Sequence, residues 1–138
     1  MRDAGEVVRL LREHGIQPSA QRVAVARWVL DTESHPSADE VWAKVRARFP
    51  MVSRATVYNT LHTLVAEGLL RELVLAEGKV VYDPKVDPHH HFIDDETGAI
   101  TDVAWDALKV QKIDALQLQG FDVREYQVVM RGKTSRKA

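Results

Sequence analysis

The chain of 138 residues contains no cysteine. That absence excludes disulfides, thiolate metal sites and cysteine nucleophiles together, so any metal must be held by His, Asp and Glu. Long apolar runs are also missing. The longest extend only a few residues, far short of the roughly 20 that cross a bilayer as a helix, so no membrane partner is expected. The opening stretch MRDAGEVVRLLREHG mixes acidic and basic residues and lacks the pattern of a secretory leader, which makes a cytoplasmic location the expectation. Nor is there an excess of positive charge: 19 Lys and Arg face 20 Asp and Glu, for a net charge of −1. A nucleic-acid binder of this composition must focus its basic groups on one face. What remains is 45% hydrophobic and 28% charged, the balance of a soluble globular protein with room for one ordinary domain or two small ones.

Periodicity divides the chain into helices followed by strands. Val7, Leu10 and Leu11 recur at helical spacing between Asp3 and His14, with Gly15 placed to terminate the helix. A second helix is expected from Ser19, burying Val23, Ala24 and Trp28 and fraying near Asp31. Ser37-Ala-Asp-Glu40 is a capping box opening a third helix with Val41, Val45 and Phe49 on one stripe, ended by Pro50. Ser53 caps a fourth with Val57, Leu61 and Leu64 on its apolar stripe, closed by Gly68. Leu69–Leu75 and Lys79–Tyr82 then read as strands of a hairpin turning at Ala76-Glu77-Gly78. Helices followed at once by a hairpin make a winged helix-turn-helix.

The fold class expected is therefore α+β, with a winged-helix domain over 1–83, a hinge at 84–88 and a small domain over 89–138. In the last, His90–Ile93 and Ala99–Val103 flank a turn, Trp105–Gln119 suits a helix and Phe121–Met130 a strand. Such a unit is too small to bury a core alone, and its edge strands invite a second copy, so a homodimer is expected. The tail Arg131–Ala138 is polar and basic.

Two groups of residues carry chemistry. The fourth helix bears Arg54, Thr56, Tyr58, Asn59 and His62 beside its apolar stripe. Entering a major groove N-terminus first, it offers Tyr58 to a thymine methyl, Asn59 to a base edge, and Arg54 and Thr56 to phosphate or base. Gln21, Arg22 and Arg27 suit a clamp on the backbone. The same face also suits a solvated helix of an unrelated small protein. The second group is His89-His90-His91 with His35, Asp83 and Asp102. In a strand, His89 and His91 share a face and His90 takes the other. Three imidazoles and two carboxylates suit Fe(II), Mn(II) or Zn(II), although a histidine run also fits a solvated surface.

Taken together, these residues resemble the ferric uptake regulator family over nearly the whole chain. The carrying segments are Gln21-Arg22, His35-Pro-Ser-Ala-Asp-Glu40, Ala55-Thr-Val-Tyr-Asn-Thr-Leu61, Glu67-Gly68-Leu69, Tyr82-Asp83, His89-His-His91 and Thr97-Gly-Ala-Ile-Thr-Asp102. The resemblance implies a DNA-binding repressor that acts as a homodimer on a palindromic double-stranded operator and has no enzymatic role. It also implies one regulatory divalent ion per subunit, held by His35, Asp83, His89, His91 and Asp102. Aspartate at 102 looks like the peroxide-sensing branch, in which bound Fe(II) and peroxide oxidise ligand histidines, here His35 and His89. A haem- or metal-responsive member is the alternative, with His89, His90 and His91 as the haem ligands. A metal-dependent hydrolase is a weaker rival, because five protein ligands leave little room for an activated water.

Three departures stand out. Most of the family keeps two Cys-x-x-Cys pairs for a structural zinc, and Asp94-Asp95-Glu96-Thr97 takes the place of the first, so no structural zinc is expected here. By the same resemblance a further family metal site is not expected here, since its carboxylate and histidine align with Lys109 and Tyr126. A basic residue that often reaches the minor groove is Gln17 here.

Overall fold

The structure is a computed structural model, and it describes residues 2–75 and 78–135. Helix and strand are both present, as the α+β expectation requires. The chain divides into two compact units, Met1–Val86 and Asp87–Ala138, and the break falls inside the segment 84–88.

The first unit is built from α1 (Ala4–Glu13), α2 (Ala20–Val29), α3 (Ala38–Arg46), α4 (Arg54–Ala66), β1 (Arg71–Val74) and β2 (Val80–Asp83). Each helix opens on a side-chain cap. Asp3, Ser19, Ser37 and Ser53 accept the backbone N–H of Glu6, Arg22, Glu40 and Thr56 respectively, satisfying donors that no helical carbonyl can reach. At α3 the box is complete, since Glu40 Oε1 accepts the Ser37 N–H at 3.1 Å. Gly68 ends α4 with φ +75°. Its N–H reaches Val65 O at 3.0 Å and the next N–H reaches Leu64 O at 3.0 Å, the paired closure that a left-handed residue makes possible. Val7, Leu11, Val25, Val29, Val41, Val57, Leu61 and Leu64 are wholly shielded from water. Each contributes about 1.5–3 kcal/mol relative to exposure.

Two expectations about this unit need correction. The second helix buries Val25, Ala26 and Val29, whereas Val23, Ala24 and Trp28, expected to be buried, lie at the margin of the core and are only partly covered. The third helix stops at Arg46, four residues before Pro50, and Phe49 is 38% exposed rather than buried on the stripe. Pro50 disfavours the helical conformation of its predecessor, and the N–H groups of Arg48 and Phe49 both turn back to Val45 O. The hairpin pairs β1 with β2 antiparallel, from Arg71 opposite Asp83 to Val74 opposite Val80. Of the expected turn, Ala76 and Glu77 lie outside the described residues, and Gly78 has φ +75°.

The second unit is a three-stranded sheet in the order β4-β3-β5, from β3 (His90–Asp94), β4 (Ile100–Val103) and β5 (Val129–Gly132). β4 runs antiparallel to β3, and β5 parallel to it. The expected helix over Trp105–Gln119 is absent. Two 3₁₀ segments, Trp105–Ala107 and Asp114–Gln119, stand in its place. Leu108 is extended and Lys112 has φ 66°, so no continuous helix passes through them. The cause is lack of support: helical stability comes mostly from packing an apolar face, and Leu118 is 92% exposed. The expected strand over Phe121–Met130 shrinks to its end for the same reason, and Phe121 is 60% exposed. Among the described residues this unit buries no apolar side chain; its buried residues are His89, His90 and His91. Of the basic tail, Arg131 and Gly132 belong to β5, and 136–138 lie outside the described residues.

Candidate metal ligands and nucleic-acid face

In the first unit, one hydrogen bond brings two of the expected ligands together. The Tyr82 N–H of β2 donates to Pro36 O at 2.8 Å, which lays the end of β2 beside the segment leading into α3. His35 Nε2 and Asp83 Oδ2 consequently stand 3.3 Å apart, both side chains 4% exposed. Asp83 Oδ1 is engaged separately by the Lys85 N–H at 2.9 Å. His35 sits at φ 51°, a left-handed conformation that costs a non-glycine residue energy and persists where the surroundings enforce it. Burial first, then the charge of Glu72, pushes the neighbouring Tyr82 phenol above its usual value, so it remains a neutral hydroxyl.

In the second unit, strand register does the same work. His91 pairs directly with Asp102 across β3 and β4, and cross-strand partners share a face. His89, two residues before His91, lies on that face too, the two rings 4.5 Å apart. Asp102 Oδ1 is 3.4 Å from His89 Nε2 and 3.6 Å from His91 Nε2. His89 Nδ1 lies 2.7 Å from Asp87 O. A carbonyl can only accept, so Nδ1 carries the proton and the lone pair of a neutral ring is left at Nε2. That nitrogen and the Asp102 carboxylate oxygen stand 3.4 Å apart, a separation at which the two can share a cation. The backbone bond on the far nitrogen is the outer support that metal-binding imidazoles use. A divalent ion with ligand bonds of about 2.1 Å sets adjacent ligand atoms about 3.0–3.4 Å apart. The His35–Asp83 and His89–Asp102 spacings of 3.3 and 3.4 Å fall in that range, and His91–Asp102 at 3.6 Å is slightly longer.

His90 is not brought together with its neighbours. It points to the opposite face, stacks on Trp105 at 4.7 Å and 15°, and its Nδ1 accepts the Val128 N–H at 2.9 Å. Tyr126 packs against Trp105 at 4.7 Å. Where the resemblance suggested a lost metal site, this chain has an aromatic stack that ties the approach to β5 onto β3.

The expected DNA-reading residues Arg54, Thr56, Tyr58 and Asn59 all lie on α4. Arg54, Ala55, Tyr58, Asn59 and His62 are exposed and recur at one-turn spacing, forming a single face. Thr56 is half-buried, and its hydroxyl accepts from Ser53 Oγ at 2.9 Å. On α2, Gln21 and Arg22 are half-buried, and an Arg22 terminal nitrogen donates to Gln17 O at 3.1 Å. Arg27 Nε is held by Arg2 O at 2.8 Å. Three residues beside this face escaped the sequence reading. Asp39, Trp42 and Arg46 of α3 contact Arg54 or its support. Asp39 was hidden because it lies inside the capping box, whose pattern accounts for an acidic residue without reference to a partner. Among the described residues no helix is long and apolar enough to cross a membrane.

The model of the Ferric uptake regulator family matches residues 13–131. The peroxide-responsive repressor PerR of Staphylococcus epidermidis is 30% identical over 127 residues, covering 92% of this chain and 85% of the relative. Two solved structures share the fold. The ferric uptake regulator of Vibrio cholerae superposes with a TM-score of 0.74 at 19% identity, over 92% of this chain and 98% of that one. That of Helicobacter pylori, described as having three functional metal binding sites, gives 0.74 at 19% identity over 96% and 92%.

Proposed function

The chain belongs to the ferric uptake regulator family, and on that premise we propose that it is a metal-gated transcriptional repressor of the peroxide-responsive kind. The observation that carries the reading is the pairing of imidazole and carboxylate in each unit: His35 with Asp83 in the first, His89 and His91 with Asp102 in the second. Neither set is sufficient alone. Shared on one divalent ion per subunit, the five side chains fix the hinge at 84–88 and with it the orientation of the winged helix. Loss of any one of them frees the hinge and lowers the DNA-competent population. Only about 1.4 kcal/mol of differential binding is needed for a tenfold change in DNA affinity.

The output is α4. The Vibrio cholerae relative has DNA-binding domains, and here the exposed face of Arg54, Tyr58 and Asn59 supplies a guanidinium, an aromatic edge and an amide to a major groove. Two copies, joined through the second unit's exposed Phe121 and Leu118, present two such helices to the half-sites of a palindrome. Fe(II), when bound, supplies the reduction of peroxide that oxidises a ligand imidazole. His35 and His89 are the residues exposed to that chemistry; oxidation of either removes a ligand and with it the hold on the hinge.

Mass spectrometry of Fe(II)- and Mn(II)-loaded protein after dilute peroxide tests the reading. One added oxygen on His35 or His89 with iron only is the expected result. If neither histidine gains oxygen under either metal, the peroxide reading falls and a metal- or haem-responsive regulator remains.

A further inference from the structure

Between α3 and α4 lies a cluster whose α3 members, Asp39, Trp42 and Arg46, the regulatory reading does not use. Asp39 Oδ1 stands 3.4 Å from Arg54 Nε and accepts the Tyr58 hydroxyl at 3.4 Å. The Arg54 guanidinium lies over the Trp42 ring at 4.7 Å, and that of Arg46 over the same ring at 4.1 Å. Trp42 is itself fixed, since its Nε1–H donates to Val52 O at 3.2 Å, immediately before the Ser53 cap of α4. Arg54 is thus gripped at Nε by a carboxylate and below by an indole. Among the described residues nothing engages its two terminal nitrogens.

We propose that Asp39 is a positioning residue for DNA recognition, holding Arg54 and Tyr58 in the orientation from which they read sequence. This rests on the reading of α4 as the DNA-reading helix. The Arg54 and Asp39 side chains are 59% and 60% exposed, and an ion pair so exposed adds little to stability. A carboxylate beside a phosphate surface also opposes DNA binding. A group that weakens attraction while ordering two readers favours discrimination over affinity, because a long side chain ordered beforehand loses less freedom on binding. With Nε occupied, Arg54 offers its two outer nitrogens as a fixed fork to a guanine edge or a phosphate. With its hydroxyl occupied, Tyr58 offers ring carbons, which suit a thymine methyl.

The test uses full-length protein loaded with Mn(II), a duplex that this protein enriches from a randomised pool, and a scrambled duplex of equal length. Asp39→Asn removes the charge and keeps the size and an acceptor for Tyr58. Binding to the scrambled duplex is expected to hold or tighten, while the ratio of selected to scrambled affinity falls about tenfold. Arg54→Lys, which keeps charge but loses the fork, is expected to lower the ratio similarly. Asp39→Asn added to it then changes the ratio no further. An unchanged ratio in Asp39→Asn, additive losses in the double variant, or both affinities falling in parallel with a lower melting temperature overturns the positioning role and leaves DNA binding standing. A parent protein that enriches no sequence overturns both readings.

Discussion

In the first unit Val and Leu side chains from all four helices are sealed from water, whereas in the second the sealed side chains are three histidines. The first therefore has its own hydrophobic driving force; the second depends, among the described residues, on strand pairing and polar contacts. The contrast explains why the helices of the first unit form as their periodicity predicts, while the helix expected at Trp105–Gln119 gives way to short 3₁₀ pieces. It also sets the largest expected effect. Leu61→Ala, in the centre of α4 and 0% exposed, should destabilise the fold by about 2–5 kcal/mol in a denaturant titration. Leu118→Ala, at 92% exposure, should cost less than about 0.5 kcal/mol at a protein concentration where the chain sediments as a monomer. A cost for Leu118 rising with protein concentration would show that a second copy covers it, and would narrow the gap between the units.

The next effect concerns what the second unit lacks in core and gains in ligands. Mn(II) at about one hundred times its dissociation constant should add about 2.7 kcal/mol to unfolding, and a chelator should take it away. Asp102→Ala removes the carboxylate that both His89 and His91 face at 3.4 and 3.6 Å, and should abolish the Mn(II)-dependent rise in melting temperature. Unaltered metal stabilisation in Asp102→Ala would mean that Asp102 is not a ligand, and His91→Ala would then decide whether the second unit holds an ion at all. Smaller again is the capping box. Ser37→Ala removes the acceptor of the Glu40 N–H and should cost about 1 kcal/mol, measured in the absence of metal so that any change at the nearby His35 does not enter the result.

The same contrast decides what could be read from the sequence. Caps and the Gly68 closure are local rules, and each helix of the first unit opens on the expected cap; the apolar stripes hold for α1 and α4 but miss the buried face of α2 and overrun α3 at Phe49. Of the candidate ligands, alternation on a strand placed only His89 and His91 together; the full set of five came from the family resemblance, and the His91–Asp102 register is seen in the structure. What was not legible is non-local. The parallel pairing of β5 with β3 leaves no local pattern. The same holds for the Tyr82–Pro36 hydrogen bond that delivers Asp83 to His35. Apolar spacing over Trp105–Gln119 suggested a helix because periodicity reports a face, not whether anything in the chain covers it. Asp39 was missed since its capping box already explained it, and alternation set His90 on the other face without revealing its stack on Trp105.

The smallest effect expected is in the turn that follows β3, at Asp94-Asp95-Glu96-Thr97. Asp94 Oδ1 accepts the Glu96 N–H at 2.7 Å and the Thr97 N–H at 3.2 Å, and Oδ2 accepts the Thr134 hydroxyl at 3.1 Å. One carboxylate thus closes the β3–β4 turn and fastens the segment after β5. These bonds, the Glu96 N–H foremost and opposed by partial burial, hold the Asp94 carboxyl below its ordinary value of 3.8. A carboxylate lowered in the folded state adds stability that is complete above the unfolded value and fades as pH falls through the folded one. The turn should therefore be indifferent to pH across the neutral range and loosen only below about pH 4. Amide exchange at Glu96 and Thr97, corrected for intrinsic rates, should speed up there while core amides of α4 hold. In Asp94→Asn the acid-dependent step should vanish from both amides. If it persists, another carboxyl controls the turn, and the second unit is fastened at this corner by something other than Asp94.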